Sequence, residues 1–174
     1  MSYIDKPEFK FFQAIKRGNL DQAEALLGQG VDVYHVTEKE KWTYLHKALT
    51  NPSTDRQGPV ESINYLIEKG LDVNAIDDYG YTPLIYAVRQ RNVPAMRALL
   101  ENGADKTIEQ RGKDSVSALR MAVKGKPYQY DVVKVLLEYG ADPDASTPEG
   151  KSVRELMDIL AGVDPVIKEL IASY

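Results

Sequence analysis

The sequence predicts an all-α fold, a solenoid of about five helix-turn-helix repeats with β-hairpin-like loops, in a single domain over residues 1–174. Two recurring signals and their spacing predict it. A glycine followed two residues later by aspartate recurs at Gly30, Gly70, Gly103 and Gly140. A threonine or serine that can open a helix recurs at Thr43, Thr82, Ser117 and Ser152. Both signals return about every 35 residues, a period typical of stacked helical repeats.

The first repeat, predicted over residues 5–37, is a degenerate N-terminal cap. Counting back from Gly30 places Phe9 in the slot where a helix opens. The segment FKFFQAIKRGNLDQAEALLGQG keeps the small and apolar positions of the later copies, such as Gly18 and Leu26. A terminal repeat tolerates the loss of its opening motif because no neighbour stacks on its outer side.

Two repeats carry an insertion between their helices. The second repeat, residues 38–76, holds extra residues in LTNPSTDRQGPVES, around 50–62, where Pro, Ser, Thr, Asp and Gly predict a loop. The fourth repeat, residues 111–146, holds a shorter insertion in KGKPYQYD, residues 124–131. We expect both loops on the same side of the stack. They either mark a binding surface or reflect the small penalty for lengthening a loop.

The third repeat, residues 77–110, is the clearest copy. Thr82 is expected to cap a helix with its hydroxyl, and Pro83 to occupy the first helical position, where its missing N–H is harmless. Gly80 permits the tight turn before them. Apolar residues then recur with helical period, and Gly103 ends the second helix in the left-handed conformation. The fifth repeat, residues 147–174, is a worn C-terminal cap.

The motif TPLIYA, which begins at Thr82, makes this chain resemble the ankyrin-repeat family over nearly its whole length. Ile85 stands where the family motif has His, and His46 fills that slot in the second repeat, where Tyr44 replaces the Pro. The resemblance implies a module without catalytic activity that binds another protein. It also implies that partners dock on a concave face made of hairpin tips and inner helices.

Composition excludes several functional classes. The net charge of −4 gives no basic face for nucleic acid, and the absence of Cys excludes disulfides and thiolate metal sites. No apolar run approaches the length of a membrane span, and the N-terminus lacks the apolar core of a signal peptide. We therefore expect a cytoplasmic protein that is monomeric when free, with no membrane or nucleic-acid partner.

No catalytic, cofactor-binding or metal-binding constellation is expected. The two histidines, His35 and His46, occupy non-equivalent positions, and His46 is expected to bond the turn backbone, as the family's motif His does. The aspartates of the repeated Gly-x-Asp pattern are one repeat apart, so they are expected to form turns by bonding local backbone. These are Asp32, Asp72, Asp105 and Asp142.

Candidate partner-binding residues come from the hairpin tips, the inner helices and the fourth-repeat loop. Trp, Tyr and Arg are the residues most enriched at binding hot spots, and an aromatic side chain at a tip is expected to stay clear of the core. Charged tip residues are expected to form a polar rim. The candidates are Trp42, Asp78, Tyr79, Tyr81, Arg89, Lys113, Asp114, Tyr128 and Tyr130.

Several functions remain open at this point. Size and architecture resemble bacterial immunity proteins that occlude a toxin, in which case the acidic balance would suit a basic toxin domain. A scaffold or a secreted effector adaptor fits equally well. A small-ligand-binding protein could instead use the loop around residues 124–131, and a homo-oligomer could form through exposed aromatic residues. A deep pocket would favour a small ligand, and a broad shallow groove a protein.

Overall fold

The computed structural model describes residues 6–50, 57–125, 127–146 and 150–174. Over these ranges the chain forms five consecutive helix pairs, and no β-strand occurs in them. The helices are α1 Pro7–Arg17, α2 Leu20–Gly28, α3 Tyr44–Ala48, α4 Val60–Glu68, α5 Pro83–Arg89, α6 Val93–Glu101, α7 Ala118–Ala122, α8 Tyr130–Glu138, α9 Val153–Ile159 and α10 Pro165–Ala172. A short 3₁₀ helix, Ala104–Thr107, follows α6.

Equivalent helices of successive pairs stack on one another. The first helices pack in the order α1, α3, α5 and α7, and the second helices α4, α6, α8 and α10 pack in the same manner. A single hydrophobic core runs from Phe11 in α1 to Ile171 in α10. This arrangement confirms the predicted stack of helix-turn-helix repeats. The repeats stack because no pair could bury its apolar face alone.

The turns before α3, α5 and α7 are hairpin-like. Each is closed by one backbone hydrogen bond, from Thr37 to Trp42, from Asp77 to Tyr81 and from Gly112 to Val116. Each turn also holds one residue in the left-handed conformation, with φ of 58° at Lys41, 80° at Gly80 and 60° at Ser115. The role predicted for Gly80 is therefore confirmed, and two repeats fill the same position with a residue other than glycine.

The helix-opening residues differ in how they cap. Thr43 and Ser152 each form a capping box, and the Ser117 side chain accepts a hydrogen bond from the Arg120 N–H. The prediction that the Thr82 hydroxyl caps α5 is wrong: Thr82 occupies the N-cap position, but its side chain forms no capping hydrogen bond. Pro83 does take the first turn, so α5 begins with one backbone donor fewer to satisfy.

The repeated glycines behave as predicted. Gly30, Gly70, Gly103 and Gly140 have φ of 94°, 86°, 97° and 90°, the left-handed conformation that ends a helix.

The aspartates that follow these glycines largely form the expected turns. The side chains of Asp32, Asp72 and Asp142 each accept a hydrogen bond from the backbone N–H two residues ahead, at 2.8 to 2.9 Å. Asp105 differs because the chain enters the 3₁₀ helix there, where its carbonyl accepts a bond from Ile108.

The first helix begins earlier than the repeat pattern predicts. Its N-cap is Lys6 and its first residue is Pro7, so Phe9 lies inside α1 rather than in an opening slot. Proline fixes the backbone angle that a first helical residue needs. The result is an 11-residue helix, compared with five residues in α3 and α7.

Both inserted loops lie between the two helices of their repeats, as predicted. Part of the first, residues 51–56, and Lys126 of the second lie outside the described residues. The described end of the first loop contacts the next repeat: Gln57 Nε2 donates to the carbonyls of Gln90 and Arg91. Asn92 Nδ2 donates in turn to the Gly58 carbonyl at 2.9 Å.

The helices of the described ranges are all too short or too polar to cross a membrane.

Candidate functional site

A buried carboxylate organises the hairpin between the second and third repeats. Asp77 is 5% exposed, and its Oδ1 accepts hydrogen bonds from the backbone N–H groups of Tyr79 and Tyr81, both at 2.9 Å. Its Oδ2 accepts from the Tyr86 hydroxyl at 2.6 Å and from the Trp42 indole Nε1 at 2.9 Å. Four donors therefore offset the desolvation of this charge and hold two aromatic side chains in place.

Tyr86 is the centre of an aromatic cluster built from two repeats. Its ring meets those of Trp42, His46 and Tyr81 edge to face, with centroids 6.2, 5.7 and 5.9 Å away. Edge-to-face pairs each contribute about 0.5–1.5 kcal/mol beyond the area that they bury. Burial, together with the hydrogen bond to Asp77, raises the pKa of the Tyr86 hydroxyl, so this group stays protonated and keeps donating.

The expectation that tip aromatics stay clear of the core is wrong for two residues. Trp42 and Tyr81 are half-buried and pack against the hydrophobic core. Both rings pack edge to face on Tyr86, a buried residue of α5, which draws them against the stack. Burial and the nearby Asp114 carboxylate raise the pKa of Tyr81 to about 12. Tyr79, by contrast, is 45% exposed.

An open pocket of about 250 Å³ lies between this hairpin and the first helices, and we call it the aromatic pocket. It brings together four of the predicted binding residues, which are Trp42, Tyr79, Tyr81 and Arg89. Thr50 and Tyr86, which were not predicted, complete its lining. Three tyrosines, a tryptophan and an arginine thus converge on one surface depression.

The charged candidates form a rim beside this pocket. Asp78 pairs with Lys113 at 3.1 Å, and Asp114 pairs with Lys124 at 3.6 Å. Such exposed pairs contribute about 0–1 kcal/mol to stability. Backbone hydrogen bonds also join successive tips, from the Asp78 N–H to the Glu40 carbonyl and from the Lys113 N–H to the Tyr79 carbonyl, both 2.9 Å.

The last two candidates, Tyr128 and Tyr130, lie apart from the aromatic pocket. Tyr128 is half-buried and lines a separate depression of about 510 Å³ against the fifth repeat. Tyr130 is the first residue of α8 and is 41% exposed, with the Lys134 Nζ 5.9 Å from its ring centroid. Seven of the nine candidates therefore lie at or beside the aromatic pocket, and Tyr128 and Tyr130 lie elsewhere.

A second, smaller pocket adjoins the aromatic pocket at Arg89. We call it the basic pocket; it has a volume of about 120 Å³ and lies where α5 and α7 end. Its cationic side chains are those of Arg89, Arg91 and Lys124. The remaining lining residues are Val88, Met121, Ala122, Gly125, Gln129 and Val132.

His46 holds two repeats together, as its predicted structural role requires. It is fully buried, the backbone N–H of Thr43 donates to its Nδ1 at 3.2 Å, and its Nε2 lies 3.1 Å from the Tyr81 carbonyl. An acceptor at Nδ1 places the single ring proton on Nε2, which therefore donates to Tyr81. Desolvation lowers the pKa of His46, so the ring remains neutral.

His35 is exposed. Among the described residues, no three His, Asp or Glu side chains are arranged to hold a metal ion.

Sequence reasoning missed Asp77 and Tyr86, the two residues on which the pocket is built. A signal for Asp77 exists in DDYGY, because an Asp that opens a turn commonly bonds backbone N–H groups ahead of it. Tyr86 follows Ile85 on a face that is otherwise aliphatic, and a buried tyrosine needs a hydrogen-bond partner. The sequence alone does not show that this partner is Asp77, because the contact depends on the folded geometry.

Comparison with known protein families identifies the same repeat in both parts of the chain that it matches. A model of three ankyrin repeats matches residues 11–110, and a model of a single ankyrin repeat matches residues 115–148.

Individual relatives match over part of their length. Zygote-specific protein 3 of Chlamydomonas reinhardtii is 35% identical over 127 residues, which are 65% of this chain and 33% of that protein. Ankyrin repeat, SAM and basic leucine zipper domain-containing protein 1 of Mus musculus is 30% identical over 132 residues, 74% of this chain and 25% of that protein. The Loxodonta africana protein of the same name is 32% identical over 111 residues, 62% of this chain and 22% of that protein. The chain spans a third or less of these relatives.

Proposed function

Because this chain belongs to the ankyrin-repeat family, whose repeats generally mediate protein–protein interaction, we propose that it binds a partner protein through the aromatic pocket and the adjacent hairpin tips. The observation that carries the proposal is the convergence of Trp42, Tyr79, Tyr81 and Arg89 on one depression. These residue types dominate binding hot spots, and the charged tips around them fit the polar rim of an interface.

Pre-organisation supports this assignment. The hydrogen bonds of Asp77 and the edge-to-face contacts of Tyr86 fix the rings of the pocket before any partner arrives. Binding then has to immobilise few additional side chains. Immobilising each one costs about 0.5–1.5 kcal/mol of conformational entropy. The exposed Tyr79 and Arg89 remain available to contact the partner directly.

Two pockets adjoin the loop around residues 124–131, and neither is well equipped for a small ligand. The basic pocket beside the loop around residues 124–131 has a volume of about 120 Å³, whereas pockets for small organic ligands commonly exceed about 300 Å³. The larger depression at Tyr128 offers only one carboxylate, that of Asp164, whose side chain already accepts from the Val166 N–H. A small-ligand site at this loop therefore has little support.

The proposal is tested by comparing variants that the fold tolerates. Trp42→Ala or Tyr81→Ala would remove core contacts, so we choose Tyr79→Ala and Arg89→Ala, with Tyr174→Ala and Arg97→Ala as controls on other surfaces. A partner is captured from the source cells, purified and titrated by calorimetry against each chain. We expect each pocket variant to weaken binding by about 1–2 kcal/mol and each control to change it by less than about 0.5 kcal/mol.

Equal affinity for the pocket variants and the intact chain would refute the site. The narrower interpretation, an immunity protein that occludes a basic toxin domain, stays a prediction, as do an adaptor role, a cytoplasmic location and a monomeric free state. Sedimentation of the purified chain tests the last of these.

A further inference from the structure

Positive charge collects on one side of the stack although the net charge of the chain is −4. The first helices α3, α5 and α7 contain Lys47, Arg89 and Arg120 and no Asp or Glu. The second helices α4, α6 and α8 carry five acidic residues, Glu61, Glu68, Glu101, Asp131 and Glu138, and two basic ones, Arg97 and Lys134. The first helices beside the aromatic pocket are therefore basic, although the net charge of the chain is negative.

The charges near the pocket do not all cancel. Asp78 pairs with Lys113 and Asp114 pairs with Lys124, so these two ion pairs at the tips are close to neutral. Arg89 and Arg91 form no ion pair within the ranges that the structure describes. Arg89 thus borders both pockets and Arg91 borders the basic pocket, and within the described ranges neither guanidinium is neutralised by an ion pair.

The backbone at Arg91 is a further sign that this charge has a purpose. Arg91 ends the turn before Asn92 with φ of 56°, and Gly18 holds the same place before Asn19 in the first repeat with φ of 71°. A left-handed residue other than glycine is strained, and such strain is often retained at functional positions, although Lys41 and Ser115 of this chain carry it as well. An arginine stands here where glycine would relieve that strain.

We propose that the partner contacts this surface with an acidic segment in which a carboxylate lies next to an aromatic or large apolar side chain. The apolar side chain enters the aromatic pocket, and the carboxylate pairs with Arg89 and Arg91. Arginine suits this task because its planar guanidinium binds a carboxylate through two parallel hydrogen bonds. The inference rests on the proposed function and reverses the basic partner surface that the net charge suggests.

A nucleic acid is the less favoured occupant. Aromatic rings beside arginines can stack bases, but a phosphate backbone needs an extended basic track. Here Asp78 and Asp114 already pair with Lys113 and Lys124, which leaves Arg89 and Arg91 as two neighbouring cations rather than a track.

The test uses the intact chain and four synthetic peptides, acetylated and amidated: Glu-Glu-Phe-Glu-Glu, Gln-Gln-Phe-Gln-Gln, Lys-Lys-Phe-Lys-Lys and Glu-Glu-Ala-Glu-Glu. The chain has one tryptophan, Trp42, and it lines the pocket, so its emission reports occupancy. At low salt we expect the acidic Phe peptide to bind about three- to tenfold more tightly than the neutral and Ala peptides. Added salt should reduce this preference, and the basic peptide should bind weakest.

Two variants and a control identify the charges involved. Arg89→Gln and Arg91→Gly should each weaken binding of the acidic Phe peptide about three- to tenfold, and Arg97→Gln on α6 should leave it unchanged. Arg91→Gly should also raise the thermal midpoint of unfolding, because it relieves the left-handed strain. Weaker binding together with higher stability cannot result from a structural defect.

Several outcomes would overturn the inference: no saturable binding of the acidic Phe peptide, equal or tighter binding of the basic peptide, or full affinity in Arg91→Gly. Tighter binding of a single-stranded RNA oligonucleotide than of the acidic peptide would reassign the surface to nucleic acid. A captured partner that is basic at its contact would overturn this inference and leave the proposed function standing. Capture that is insensitive to Tyr79→Ala and Arg89→Ala would defeat both.

Discussion

At the scale of single residues, Asp77 shows how one side chain connects local structure to a surface. Its carboxylate closes its own turn through two backbone N–H groups, and it holds Tyr86 and Trp42 through their polar atoms. Because each of these groups is at least half-buried, a lost partner would leave a donor without an acceptor. Such a loss costs more than the hydrogen bond contributes when it is intact.

Replacing the Asp77 carboxylate should therefore lower stability strongly, whereas the same change at the neighbouring Asp78 should have little effect. In Asp77→Asn, one oxygen becomes an NH₂ group that cannot accept, so two of the four donors lose their acceptor. We expect the free energy of unfolding in urea to fall by about 2–4 kcal/mol. Asp78→Asn, an identical change at an exposed neighbour, should lower it by less than about 1 kcal/mol. Similar losses in the two variants would contradict the role given to Asp77.

His46 should make stability depend on pH. Its pKa in the folded chain lies below the ordinary 6.5, so the unfolded chain binds a proton more readily. Stability from this residue is therefore complete above about pH 6.5 and declines as the pH falls below it, by at most about 1.4 kcal/mol per pH unit.

The matched variant is His46→Ile, since Ile85 fills the same slot one repeat later and is 2% exposed. Urea unfolding between pH 5 and 8 should show a shallower acid limb for the variant. Parallel limbs would mean that His46 does not carry the effect.

At the scale of elements, the hairpins show which backbone conformation the repeat requires and where this chain meets it with a residue other than glycine. The same turn position is left-handed in three repeats, yet it is Gly80 in one, Lys41 in another and Ser115 in the third. A left-handed residue other than glycine costs roughly 1–2 kcal/mol, whereas glycine loses about 0.5–1 kcal/mol more entropy when it folds. The difference favours glycine by a small margin.

Lys41→Gly should therefore stabilise the chain by about 0.5–1 kcal/mol. The control is Lys39→Gly, which removes the same side chain from an exposed position of the same hairpin that has no left-handed angle. We expect this control to be neutral or slightly destabilising. Thermal unfolding followed by circular dichroism measures both variants, and a lower midpoint for Lys41→Gly would show that its side chain makes a contact that matters.

At the scale of the whole molecule, what the sequence predicted follows the period of the repeat. The helix pairs, the left-handed glycines and the place of Pro83 recur at fixed spacing, so local rules were sufficient to find them. The contacts of Trp42 were mispredicted because they depend on what lies one repeat away, and the start of α1 because Pro7 sets it earlier than the repeat pattern does. Of the residues that line the aromatic pocket, the sequence singled out Trp42, Tyr79, Tyr81 and Arg89, but it did not single out Tyr86 or the Asp77 that supports it.

A stack of this kind should respond unequally to the same cavity. Leu99 in α6 is fully buried in the middle repeat, and Leu170 in α10 is 8% exposed in the last helix pair. Leu99→Ala should lower the free energy of unfolding of the whole chain by about 2–5 kcal/mol. Leu170→Ala should mainly loosen α9 and α10, because each repeat contacts only its neighbours.

Amide hydrogen exchange distinguishes these two responses. Faster exchange in every helix is expected for the Leu99 variant, and in the last pair alone for the Leu170 variant. Uniform acceleration in both would indicate one indivisible cooperative unit.

The hydrogen bonds between hairpin tips have a kinetic consequence. Glu40 is tied to Asp78, and Tyr79 to Lys113, by main-chain atoms that no substitution other than proline removes. The backbone therefore holds neighbouring tips together, and the spacing between them does not depend on side-chain rotamers. If the proposed partner docks on these tips, their spacing is already fixed before it arrives, and the complex should form at a rate set by diffusion and attraction rather than by a slow rearrangement of this chain.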